Sequence, residues 1–301
     1  MDVRKRRRFT PFTAVLGIVL ALYAVSMTAL LLWGVFTALK TQEEFRRNVA
    51  LIPSGAPWDW AWGNFVRVFE NFYVPVTKIV NGTAVQQNIW VEEMLLNTLL
   101  YTVGGAFIQT LVPCAVAYVT SRFKFRFSAV VQGIVIVTMI IPIVGSQASE
   151  LELLMRLGIY DTIWGNWIQK FNFLGMYYLV FFAAFKLIPN DYAEAAYIDG
   201  ASEWRVMVNI MFPLVATTFF TVMLLKFIDF WNDYQTPLLY LPTHPTLAYG
   251  VFRLSTEPIQ EMSTVPMRMA ACIIMAVPVL IVFIVFRNKL MGNLSMGGIK
   301  E

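Results

Sequence analysis

"DYAEAAYIDGASEWRVMVNIMFPLV" fills Asp191–Val215 and interrupts a mostly apolar chain. Pro189 closes the apolar run before it, because proline disfavours helix in the residue it follows. Asp191 is placed to cap a new helix, with Glu194 three residues on in a capping-box arrangement. Ala193, Ala195 and Ala196 are strong helix formers of little bulk. Gly200 suits the left-handed position just past a helix end. Ser202 and Glu203 are suited to start the next helix, and Pro213 fits the first turn of the apolar helix beyond. The pattern predicts a helix of about eight residues, roughly 12 Å long. On its own this is a well-capped connector. The competing reading is a docking element: alanines admit another surface closely, Glu194 and Asp199 offer charge to a basic partner, and a rigid rod transmits a push.

Composition sets the surroundings of that stretch. Of 301 residues, 58% are hydrophobic and 14% charged, and the mean hydropathy is +0.62. Soluble domains carry about 25% charged residues, so long uncharged runs here mean an integral membrane protein. The net charge of +4 is not a nucleic-acid signal, since the basic residues cluster at the ends of apolar runs. Cys114 and Cys272 lie inside such runs with no Cys/His cluster, which predicts buried thiols, no disulfide and no metal site. The apolar run after Arg8 extends to Leu39, far beyond the about 7–15 residues of a signal-peptide core, so it reads as a retained helix.

A spanning helix needs about 20 residues. Phe9–Leu39, Met94–Ser121, Phe127–Ser149, Phe171–Asn190, a helix opening near Pro213 and running to about Tyr234, and Met269–Phe286 are six candidates. The expected fold is therefore an all-α membrane protein of six spans with both termini on one side. Arg4–Arg8, the turn with Arg122, Lys124 and Arg126, and Arg287 with Lys289 share that side, which the positive-inside rule makes cytoplasmic. The expected organisation is a basic N-terminus at 1–8, a first helix at 9–39, an extracytoplasmic segment at 40–93, a core at 94–290 holding the 191–213 loop, and a cytoplasmic tail at 291–301. Glu150–Lys170 reads as a helix along the interface with Trp164 and Trp167 as anchors, and His244, between prolines, as a surface loop residue. Lys226 and Asp229 share a face of the fifth helix, and charge within a span is a functional candidate. With Trp231, Asn232, Asp233 and Tyr234 they would supply hydrogen bonds and stacking for a sugar; a structural ion pair with Trp231 as an interface anchor is the alternative.

"EAAYIDGA" followed by "IMFP" resembles the EAA loop of binding-protein-dependent ABC importer permeases through Glu194, Ala195, Ala196, Gly200, Ile210 and Pro213. Asn97–Phe127 and Phe230–Leu241 resemble segments of carbohydrate permeases, and "LSMGGIKE" is similar to the tail of the smaller, maltose-type subunits. The resemblance covers nearly the whole chain and is weakest over Lys40–Glu93. It implies a type I importer permease in a prokaryotic inner or plasma membrane, forming half of the pore for a sugar, an oligosaccharide. Its implied partners are a second permease, two ATPase subunits and an extracytoplasmic sugar-binding protein. It further implies that Glu194, Ala195, Ala196, Asp199 and Gly200 couple to an ATPase, that Gly297, Gly298 and Lys300 make a tail contact, and that the sugar site lies mainly on the second permease. The chain has no GxxxxGK[ST] phosphate loop, so ATP and Mg would belong to the ATPase subunits and no cofactor to this chain. The alternative is an ATP-independent secondary transporter or channel subunit, against which the EAA stretch and the lack of an evident repeat both stand.

Overall fold

A computed structural model describes residues 11–80, 82–123, 125–141, 145–257 and 262–294. Among the described residues, three helices are long and apolar enough to cross a membrane: α1 (Pro11–Ala38), α4 (Val91–Arg122) and Val265–Phe286 within α15 (Val265–Leu294). A fourth arises if Glu203–Leu214 and Ala216–Trp231, bent by 72° at their junction, count as one span.

The third and fourth predicted helices are shorter than expected. Between α4 and α8 lie α5 (Arg126–Ile140), α6 (Gln147–Arg156) and α7 (Ile163–Gln169); α8 is Met176–Leu187. At 1.5 Å per residue α5 and α8 reach roughly 22 and 18 Å, short of the roughly 30 Å hydrocarbon core. Helix α5 ends because Pro142 excludes helical geometry at Ile141, which is extended (φ −84°, ψ 114°). Helix α8 starts only at Met176 because Gly175 sits at φ 125°. It stops because Pro189 pushes Ile188 to φ −78°, ψ 127°.

The described residues form two compact units. In the first, comprising described residues up to Phe72, Glu257, and those from Met262 to Ile274, α1 is exposed until its last turn. It is followed by α2 (Gln42–Arg47), a 3₁₀ turn at Pro57–Asp59, and α3 (Gly63–Asn71). Lys40 is buried, its Nζ donating to the Asn48 carbonyl at 2.8 Å. The Asn64 amide donates to the carbonyls of Ala38 and Lys40, both at 2.8 Å, and fixes the turn after α1.

The second unit, Tyr73–Thr256 with the residues from Met275 onward, corrects the all-α expectation. Strands β1 (Tyr73–Val80) and β2 (Thr83–Trp90) pair antiparallel, Tyr73 opposite Trp90 and Val80 opposite Thr83. The runs are rich in Val, Ile and Thr, Asn81-Gly82 stands between them in the sequence, and Gly82 is at φ 79°. Helix α4 is the axis against which α8 and α12 (Ala216–Trp231) pack. Two glycines of α4 admit close neighbours: a Cβ at Gly104 would overlap the Trp167 ring of α7, and one at Gly105 would lie 3.3 Å from the Phe230 ring of α12. Trp167, expected at the membrane interface, is thus held against α4, its indole nitrogen donating to the Leu100 carbonyl at 3.2 Å. Trp164 is exposed.

Between α8 and α12 lie α9 (Asp191–Ile198), α10 (Glu203–Val206), a π turn (Met207–Met211) and α11 (Phe212–Leu214). Pro213 has no N–H to give and crowds the preceding turn, which accounts for the bend; the helix expected from Pro213 resumes only at Ala216. The loop expected after it contains α13 (Gln235–Tyr240) and α14 (Leu247–Thr256). Cys114 is buried as expected, but Cys272 is exposed.

Candidate functional site

Helix α9 has the predicted length, but its cap differs. The N-cap is Asn190, and Asp191 is the first helical residue. The Asn190 side chain caps nothing, because its Oδ1 accepts from Arg122 Nη1 at 2.7 Å. The far end closes as a Schellman motif: the amide of Ala201 donates to the Ala196 carbonyl at 2.9 Å and that of Gly200 to the Tyr197 carbonyl at 3.0 Å. Gly200 is at φ 77° with open space where a Cβ would stand, so the backbone angle, not room, calls for glycine there. Ser202 Oγ then accepts the Arg205 amide at 3.4 Å and starts α10. Tyr197 Oη donates to Glu203 Oε2 at 2.5 Å, tying α9 to α10 across the turn.

The residues grouped by the EAA pattern divide between two faces. Ala196 turns inward to a core that includes Tyr118, Phe185, Val206 and Met211. Glu194, Ala195, Asp199 and Gly200 are exposed. With them lie large apolar groups left uncovered: Ile198 (87% exposed), Trp204 (71%), Tyr192 and Tyr197. Ile198 and Trp204 were not singled out from the sequence, although a bulky apolar residue beside a helix-ending glycine on a loop is a readable signal. Gly297, Gly298 and Lys300 lie outside the described residues, as do Arg4–Arg8 and Lys124.

The end of α12 is less unified than expected. Lys226 Nζ is 3.6 Å from Asp229 Oδ2 and 4.8 Å from the centre of the Tyr177 ring. Asn232 is exposed beside Asp229, its amide bonded to the Ile228 carbonyl at 2.9 Å. Tyr234 stacks on Phe252 with ring centres 4.4 Å apart. Trp231 is the correction: it is buried, stacks on Phe227, and donates its indole N–H to the Met275 carbonyl at 2.9 Å. Its indole therefore faces the packed interior of this chain. Asp233, also inward, accepts from Tyr101 Oη at 2.7 Å and from the Thr236 amide at 3.0 Å.

Sequence reasoning missed a polar cluster on α6 and α7. Glu150 accepts from Ser146 Oγ (2.7 Å), Gln169 Nε2 (2.9 Å) and Tyr240 Oη (3.3 Å). The Ser146 bond leads in holding its carboxyl below the usual range, against burial. A carboxylate between apolar stretches was the available signal. His244 lies in a loop as expected and is half-exposed, held by Asp161: its Nδ1 is 3.4 Å from Asp161 Oδ1, and Thr243 Oγ1 donates to Asp161 Oδ2 at 2.7 Å. Burial raises the Asp161 carboxyl, but the bonds from His244 and Thr243 outweigh it and leave it low.

Span-length apolar helices, with a separately capped helix and its uncovered apolar face between them, fit a polytopic membrane protein. The family described as binding-protein-dependent transport system inner membrane component matches residues 109–292, and the chain belongs to it. The starch degradation products permease AmyC, a probable transport protein of Thermoanaerobacterium thermosulfurigenes, is 27% identical, with 95% of both chains covered. The diacetylchitobiose uptake permease NgcG of Streptomyces coelicolor is 23% identical over 95% of this chain and 88% of its own. The arabinooligosaccharide permease AraQ of Bacillus subtilis is 24% identical over 97% and 99%. A crystallised bacterial ABC transporter for alginate import contains a chain with this fold, at a TM-score of 0.71 and 22% identity, covering 93% of this chain and 98% of that one.

Proposed function

We propose that this chain is one transmembrane half of an ATP-driven oligosaccharide importer, and that α9 with its Gly200 turn is where a separate ATPase subunit seats. The observation that carries the reading is the uncovered face of Tyr192, Tyr197, Ile198 and Trp204 around a helix fixed at both ends. Water-exposed apolar groups of that size mark an interaction surface, and a rigid short helix is suited to pass on a displacement. Family membership and relatives named for oligosaccharide uptake support the substrate class. The implied assembly adds a second permease, a pair of ATPases that hold ATP and Mg, and an extracytoplasmic sugar-binding protein; this chain contributes no catalytic residue, cofactor or metal. In the cycle, the loaded binding protein docks outside, ATP closes the ATPase pair, α9 moves, and the pore opens to the sugar. Asp229 and Asn232 are the proposed contributors to the path, with the main sugar site on the second permease.

Six crossings of a bacterial inner membrane with both termini cytoplasmic complete the reading, α5 and α8 crossing with help from flanking residues. The test is co-expression with candidate ATPase subunits. The wild-type chain should retain an ATPase through purification and Ile198→Asp should lose it. Retention by both would overturn the docking surface. Labelling single cysteines from outside the cell should mark position 244 and spare 124; the reverse would overturn the topology.

A further inference from the structure

Resting on that docking reading, we propose that Arg122 is a positioning residue that locks the entry of α9 to the end of α4, so that movement of α9 is carried into the pore helices. Arg122 ends α4, and its guanidinium makes three bonds to the segment that leads into α9. Nη2 donates to the Phe185 and Ile188 carbonyls at 2.7 and 2.8 Å, and Nη1 donates to Asn190 Oδ1 at 2.7 Å. Phe185 lies in the last turn of α8, where its carbonyl also accepts from the Ile188 amide at 3.2 Å, and Ile188 is the C-cap, whose carbonyl is past the helical ladder. Pro189 follows them and supplies no N–H. Nε is buried without a hydrogen-bond partner, so the side chain is placed for its terminal fork and not for its own best satisfaction.

The lock rests on an aromatic base shared by three segments. Tyr118 of α4 meets Phe185 of α8 at 5.4 Å and Phe212 of α11 at 6.2 Å between ring centres, and Phe185 meets Phe212 at 6.2 Å. Aromatic contact alone permits sliding, because edge and face arrangements of similar energy lie close together. A planar fork bonded to two carbonyls and an amide oxygen does not permit it, and a lysine cannot replace it. At the other end the Tyr197–Glu203 bond closes the frame. A push on the exposed face of α9 therefore has no slack at its entry and reaches α4 and α8 together.

Three variants test this in the full complex, reconstituted with its ATPase and sugar-binding protein. Sugar taken up per ATP hydrolysed and amide exchange over Asp191–Ile198 are measured, with ATPase retention as a separate check. Arg122→Lys and Asn190→Ser should keep the ATPase, speed exchange in α9, and lower uptake per ATP on the order of fivefold, the low end of typical coupling strengths. Asn190→Asp, which still accepts from Arg122, should match wild type. Serine is as good a helix cap as asparagine, so a mere capping role predicts that Asn190→Ser is silent. The proposal is overturned if Asn190→Ser matches Asn190→Asp, or if Arg122→Lys keeps wild-type uptake per ATP. If Arg122→Lys does not assemble, the two Asn190 variants decide alone. Loss of the ATPase from the wild-type complex would instead defeat the docking reading, and this proposal with it.

Discussion

Two regions were expected to carry function, the loop around α9 and the end of α12, and they differ in what their side chains do. Around α9 the backbone is spent on caps, and apolar side chains are left facing out: Ile198 is 87% exposed. At the end of α12 an aromatic side chain that looked available is 1% exposed and bonded inward, as Trp231 shows. Chain punctuation by proline and glycine announces where an element is set apart. Residue chemistry alone does not announce which way a side chain points.

The sharpest way to break this comparison is Trp231→Ala. As a buried packing residue it should cost about 3–5 kcal/mol, seen as a lowered thermal midpoint in detergent. Unchanged stability with reduced uptake would return Trp231 to the path. Gly200→Val comes next: a β-branched residue at φ 77° should cost about 1–2 kcal/mol locally, leave the melt of the bulk protein nearly unchanged, and abolish uptake coupled to hydrolysis. Gly200→Asn, which tolerates that backbone, should keep most activity, and equal failure of both would mean that the angle is not the issue. Asp229→Ala should cost only about 0–1 kcal/mol, since Asp229 is 62% exposed in the pair with Lys226. A fall in uptake with the complex intact supports a path role; full restoration by adding Lys226→Ala would make the pair purely structural.

The smallest effect should come from Asp161, outside both regions. Its carboxyl is held low, so its contribution is present above the ordinary aspartate range and is lost as pH falls through the lowered value, below about pH 4. Protection of the amides around Thr243, corrected for the intrinsic pH dependence of exchange, should be flat from neutral pH to that point and then fall, and Asp161→Asn should remove the fall. An acid-side change that persists in Asp161→Asn would assign the event to another group.

What was legible follows the same division. The α9 helix, its glycine end and the restart at Ser202 were readable because caps and left-handed residues act within a few positions. The hairpin was equally readable from Asn81-Gly82 between Val- and Thr-rich runs, but membrane composition argued for helix alone. The burial of Trp231 had a signal too: at about 100° per residue it lies about 200° from Asp229, on the opposite face, whereas Asn232 lies within about 60° of it. Glu150, Gln169 and Tyr240 come together from three elements, and no local spacing records that. The use of Asn190 by Arg122, 68 residues away, is non-local in the same sense and displaced the cap assigned to Asp191.

The central claim, that α9 seats an ATPase, is tested most directly by a single cysteine at Ile198. Cys272, which is exposed, is first replaced by serine, and a short bifunctional reagent is applied to the assembled complex. The account predicts an adduct between this chain and the ATPase subunit from position 198, and none from a control cysteine at the exposed Leu157. No adduct from 198, or an equal yield from 157, would contradict it.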